Sequence, residues 1–232
     1  MKAATPAPRS AELRRQLLAL VPLFFLYHLG LLLAPRAANG VDFFTRLSGL
    51  LLHHSTLLYL LLLGLLMGAY LLWLRSMPGR RFIDSRRLGL TLAESALYAT
   101  LMGPLAALLL NRLHLLGAVP SLQGPLEKIV ASAGAGLYEE LVFRLGAIWL
   151  FVKLLAGRSR RNWLRLLLAL LLSALAFSAA HYLGPGAEPF LWASFAFRLV
   201  LGLVLGVIFL WRGLDTAAYS HFLYDLFVLF LG

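Results

Sequence analysis

Tyr138-Glu139-Glu140-Leu141-Val142-Phe143-Arg144 sets two adjacent carboxylates and a guanidinium in a stretch that otherwise reads as membrane core. An ionisable side chain at the bilayer centre costs about 2.5 to 3.5 kcal/mol even on the lenient insertion scale, so three of them need a reason. On a helix Glu140 and Arg144 lie one turn apart on one face, and Glu139 is rotated by about 100°. That spacing predicts a division of labour. Arg144 neutralises Glu140 as a structural ion pair, and Glu139 faces a cavity. A clasp with no chemistry would need one carboxylate; the second points to a reaction.

Two further constellations carry polar side chains into apolar runs. Phe177-Ser178-Ala179-Ala180-His181 places a histidine near the end of one helix with a phenylalanine one turn before it. His221-Phe222-Leu223-Tyr224-Asp225 places a histidine and a carboxylate one turn apart on another. Peptide hydrolysis needs a base for water, a proton for the leaving amine and donors for the oxyanion. Glu139 can take and return the proton, and His181 can orient the water. Ser178 and Ser220 rank low as nucleophiles, because no second base is spaced to make a triad with either.

The elements that must position these groups are membrane helices. Of the 232 residues, 61% are hydrophobic and 13% charged, and the mean hydropathy is +0.83, far outside the range of soluble domains. The fold class is therefore all-α, a polytopic helical membrane protein with about seven transmembrane helices. There is no cysteine, which removes disulfides, thiolate metal sites and a cysteine nucleophile. The net charge of +11 does not imply nucleic acid, because the basic residues cluster in short loops rather than on a continuous face.

Residues 1–15 form a basic leader, and 16–35 are a retained first span rather than a cleaved signal. His53-His54 lies in the loop that follows. The second span, 56–74, is closed by Arg75, Arg80, Arg81, Arg86 and Arg87. The third, 88–110, carries Glu94, for which Arg198 of the sixth span is the expected partner. The fourth, 124–156, would be about 50 Å long as an α-helix against a hydrocarbon core of about 30 Å, so it must tilt, bend or loosen. Its Ala131-Ser132-Ala133-Gly134-Ala135-Gly136 stretch is where another helix can approach and where the helix can loosen. Arg158, Arg160, Arg161 and Arg165 precede the fifth span, 163–183, which ends at Gly184-Pro185-Gly186. The sixth, 190–211, has Gly202 and Gly206 as a packing face, and the seventh is 216–232. Both arginine-rich loops fall inside when the N-terminus is cytoplasmic.

Taken together, Glu-Glu-x-x-x-Arg, Phe-x-x-x-His and His-x-x-x-Asp in this order resemble the signature of the CPBP (Abi) intramembrane proteases, which include the type II CAAX prenyl endopeptidases. The likeness runs from about Leu126 to Phe230. It implies a conical intramembrane cavity, Glu139 and His181 as activators of water, and His221 and Asp225 as stabilisers of the oxyanion. Glu140, Arg144 and Phe177 would support the site. This sequence departs from the family pattern at Leu145, where glycine often follows the arginine, and at Asp225, where many members have asparagine. An ionised Asp225 would repel an oxyanion, so it must be protonated or act by orienting His221.

The expected organisation is an N-terminal set of about three spans, 1–123, and a catalytic core of about four, 124–232, in one integrated membrane domain. The expected function is an intramembrane endopeptidase acting on a membrane-associated peptide or protein, with no cofactor. The alternative cofactor is one divalent metal such as zinc held by Glu139, His181 and His221, a two-histidine, one-carboxylate set that zinc accepts. Two other functions compete. A transporter or ion path would use the same charges, against which stands the lack of a repeated half. A non-catalytic binding or immunity protein could share the fold. The arginine-rich, cysteine-free composition points to a bacterial inner membrane.

Overall fold

A computed structural model describes residues 9–42, 45, 55–77, 84–109, 124–156, 162–183, 187 and 189–231. The His53-His54 pair, Arg80, Arg81, Arg158, Arg160, Arg161, most of the turn at 120–124 and the breaker at 184–186 lie outside them. Every regular element among the described residues is helical: α1 (Arg9–Ala19), α2 (Val21–Gly30), a 3-10 turn (Pro35–Ala37), α3 (Thr56–Ser76), α4 (Ser85–Leu109), α5 (Pro125–Gly134), a π-helix (Ala135–Ala147), α6 (Ile148–Leu154), α7 (Asn162–Ala180), α8 (Trp192–Arg212) and α9 (Leu214–Leu231). The chain is a polytopic helical membrane protein.

Among the described residues four helices, α3, α4, α7 and α8, are long and apolar enough to cross a membrane by length and composition. Their large hydrophobic side chains point outward, among them Leu57, Leu61, Leu65 and Leu72 on α3, as a lipid-facing surface requires. The other three expected spans take different forms. The first is divided into α1 and α2 at Leu20, just before Pro22, whose missing N–H removes a helical hydrogen bond. The fourth is divided by the π-helix. The seventh, α9, carries Asp215, His221 and Asp225 among its 18 residues.

α9 is the hub, packed against α1, α4, α5, α8 and the π-helix. Residues 214 to 221 are buried without a break, so this helix has no solvent or lipid stripe in its first two turns. Gly213 sets its start: a φ of 108° turns the chain between α8 and α9 in one residue. A side chain there would also strike Gln16, whose Oε1 accepts from the Leu214 N–H at 3.0 Å.

Arg14 on α1, Arg87 on α4 and Arg212 at the end of α8 make the charged contacts of one end of the bundle. Arg14 donates to the Met77 carbonyl at 2.6 Å, Arg87 pairs with Glu12 at 3.2 Å, and Arg212 pairs with Glu94 at 2.5 Å. The last pair corrects the expectation for Glu94. Its second contact is the Tyr98 hydroxyl at 2.8 Å, while Arg198 donates to the Tyr182 hydroxyl at 3.0 Å. Arg198 is 14 residues before Arg212 on α8, a rise of about 21 Å, so it lies too deep to meet a carboxylate held at the arginine-rich end.

Candidate active site

The double glutamate lies in the π-helix, whose hydrogen bonds run from i to i+5 and which occurs mostly as short bulges at functional sites. The change of winding begins at Ala135, inside the small-residue stretch where loosening was predicted. The same stretch admits its neighbours. A Cβ on Gly136 would lie 2.5 Å from the Ala218 carbonyl oxygen of α9, and one on Gly134 would lie 2.5 Å from the Tyr27 ring of α2. The two glycines thus let α2 and α9 close on the π-helix just before Glu139.

The Glu140–Arg144 pair is the one the spacing predicted, and Glu139 takes a hydrogen bond of its own from Asn39. Glu140 and Arg144 are 0% and 1% exposed and paired at 3.1 Å between Oε2 and Nε. Arg144 also lies over the Phe177 ring at 4.4 Å and donates to the Gly202 carbonyl at 3.5 Å. Phe177 reaches it because Gly202 leaves room: a Cβ there would meet the Phe177 ring at 3.1 Å. Gly206 lies against Leu170 in the same way, so the expected packing face of α8 receives α7.

Glu140 does more than hold Arg144. Its Oε1 accepts a hydrogen bond from His221 Nδ1 at 2.8 Å, a carboxylate–histidine contact that orients the ring. The opposite nitrogen, Nε2, lies 3.9 Å from Glu139 Oε2 and 3.7 Å from Asp225 Oδ2. Both separations exceed a hydrogen bond. Glu139 Oε2 is buried and has no hydrogen-bond partner among the described residues.

His181 follows directly on the last turn of α7, and its Nδ1 is 3.0 Å from the Phe177 carbonyl oxygen. A carbonyl can only accept, so Nδ1 carries a proton and Nε2 is the ring nitrogen left for another partner. Phe177 presents its ring to His181 at 5.1 Å and to His221 at 5.8 Å. Glu139 and His181 are therefore related through His221 and Phe177, and no direct ion pair joins them. Ser178 and Ser220 are fully buried and donate to the carbonyls of Phe195 and Thr216, which commits both hydroxyls to backbone.

Sequence reasoning did not assign Asn39, which lies in the connection after α2. Its Nδ2 donates to Glu139 Oε1 at 2.7 Å. The available signal was Asn39-Gly40-Val41-Asp42, a polar turn signature between two apolar runs. Among the described residues no three His, Asp or Glu side chains gather closely enough to hold one metal ion.

Residues 122–227 match the family described as type II CAAX prenyl endopeptidase Rce1-like. This chain is similar to that family. The matched stretch contains Glu139, Glu140, Arg144, Phe177, His181, His221 and Asp225, so the predicted likeness is borne out over the segment that carries the motifs. It supports a CAAX-type protease and, with the apolar helices, an integral membrane protein. No curated protein and no solved structure matches the chain.

Proposed function

We propose that the chain is an intramembrane endopeptidase that hydrolyses a peptide bond of a membrane-associated peptide or protein with a glutamate-activated water. The observation that carries this reading is the split between the carboxylates. Glu140 is engaged through both oxygens, by Arg144 at 3.1 Å and by His221 at 2.8 Å, whereas the nearest charged group to Glu139 Oε2 is His221 Nε2, 3.9 Å away. Glu139 takes a proton from water, and the hydroxide attacks the scissile carbonyl. His181 orients the water through Nε2. His221, doubly protonated with Nδ1 on Glu140, donates from Nε2 to the oxyanion. The intermediate collapses as Glu139 returns the proton to the leaving nitrogen, breaking the carbon–nitrogen bond. Asp225, 3.7 Å from His221 Nε2, steadies that ring or donates as the neutral acid. Glu140, Arg144 and Phe177 fix the orientation of His221.

No step is assigned to a metal, and the catalytic core is residues 124–232. The arginine-rich end supports a cytoplasmic N-terminus, in a bacterial inner membrane, with His181 on the opposite side. The test is Glu139→Gln in the full chain, reconstituted in nanodiscs with an internally quenched, prenylated peptide. The variant should lose cleavage while yield and helicity stay near wild type, and the wild type should keep its rate after dialysis against a strong chelator. Full activity of Glu139→Gln overturns the catalytic assignment. One zinc per chain, with activity lost on its removal and regained on its return, overturns the metal-free mechanism.

A further inference from the structure

Glu139 belongs to the matched segment, yet the residue that holds it does not. Asn39 lies 100 residues earlier in the chain, in a connection built around two fully buried polar side chains. The Tyr27 hydroxyl donates to Asp42 Oδ2 at 2.8 Å and accepts from the Asn39 backbone N–H at 2.9 Å. Tyr27 and Asp42 are both 0% exposed. Asn39 Oδ1 accepts from the Val41 N–H at 2.9 Å. A backbone N–H can only donate, so this contact fixes which end of the amide is oxygen and turns Nδ2, a donor, toward Glu139 Oε1. Gly134 makes the approach possible, since a Cβ there would meet the Tyr27 ring at 2.5 Å and Asn39 Cβ at 3.1 Å.

The carboxylate of Glu139 is thereby divided between its oxygens. Oε1 is occupied by a donor whose own orientation is locked. Oε2 has no hydrogen bond among the described residues and lies 3.9 Å from His221 Nε2. We infer that Asn39 is a positioning residue for catalysis: it pins Glu139 Oε1, so that Oε2 is the oxygen that takes and returns the proton. The N-terminal segment then completes a site that the matched segment leaves with an unfixed base. This inference rests on the role given to Glu139 under the proposed function.

Two substitutions separate catalysis from folding. Asn39→Asp keeps the shape and the acceptor for the Val41 N–H but loses the donor to Glu139, whereas Asn39→Ala loses both. In nanodiscs with the quenched prenylated peptide, each should lower kcat by about 10- to 100-fold, the scale of a small misplacement of a reacting group, with KM changed less than about 3-fold. On a Glu139→Gln background neither should lower the residual rate further. Wild-type kcat in Asn39→Asp overturns the inference, and so does a slow Asn39→Ala beside a normal Asn39→Asp, which would mean that the side chain serves only the turn. A second readout needs no activity. In this cysteine-free chain, Asn39→Cys with Glu139→Cys should be bridged by a short bifunctional thiol reagent, so that the two halves stay linked after proteolysis between them. Failure of the bridge overturns the placement. A bridge together with full activity of Glu139→Gln would overturn the proposed reaction, and with it the positioning role, while leaving the contact intact.

Discussion

Replacing Gly136 by alanine puts a methyl carbon 2.5 Å from the Ala218 carbonyl oxygen, 2.8 Å from Phe222 Cβ and 3.0 Å from the Phe222 nitrogen. Two of these atoms are backbone of α9, which cannot swing aside as a side-chain tip can. Ordinary contact begins at 3.4 Å, so α9 and the π-helix must part by about 0.9 Å. Overpacking of this kind costs about 1 to 3 kcal/mol. Alanine returns about 0.5 to 1 kcal/mol of backbone entropy in a helix, leaving a net loss of about 0 to 2.5 kcal/mol. Catalysis should suffer more. His221 follows Ala218 on α9 by less than one turn, and Glu139 follows Gly136 on the π-helix, so the same displacement widens their 3.9 Å separation. A misplacement near 1 Å costs about 100-fold in rate. We expect Gly136→Ala to remain folded, with a small drop in melting temperature and about 100-fold lower kcat in the nanodisc peptide assay. Gly64→Ala, where a Cβ meets nothing within 4 Å, is the control. Wild-type kcat for Gly136→Ala would refute the claim that this close approach sets the catalytic geometry.

Arg144→Ala should reduce yield and thermal stability, because it leaves buried Glu140 with His221 as its one remaining charged partner, and removing one member of a buried ion pair costs about 3 to 5 kcal/mol. Arg144→Lys should rescue it poorly, since a point charge cannot reach Glu140, the Gly202 carbonyl and the Phe177 ring together; normal yield of Arg144→Ala measured by size-exclusion chromatography would contradict this. Leu183→Cys, at a position 73% exposed beyond α7, should react with a membrane-impermeant thiol reagent in intact cells. Labelling only after the cells are opened would reverse the topology and move the site to the cytoplasmic side.

How much was legible in the sequence follows from the range of each interaction. The Glu140–Arg144 pair and the Phe177–His181 contact span four residues, and a helical period places such partners without knowledge of the fold. The small residues before Glu139 announced both a close approach and a loosening. The π-winding itself was not legible, because shifting each hydrogen bond by one residue leaves the apolar pattern nearly unchanged. Contacts across the bundle were hardest. Glu94 finds Arg212 rather than Arg198 because the depth of a charge depends on where each helix begins. The bond from Glu140 to His221 joins residues 81 apart, and that from Asn39 to Glu139 joins residues 100 apart. No local pattern encodes either. The two-part first span was hidden because a single proline in an apolar run is compatible with a kinked helix as well as a broken one.

The central claim is that water, activated by Glu139, attacks the peptide carbonyl directly. A single turnover with enzyme in excess, run in water enriched in oxygen-18 and read by mass spectrometry, tests it at the reacting atoms. Direct attack predicts one heavy oxygen in the new carboxyl terminus of the cleaved peptide and none in the enzyme fragment that contains Glu139. An unlabelled product, with the heavy oxygen found on Glu139, would mean that the carboxylate attacked the carbonyl and formed an anhydride, and would contradict the account.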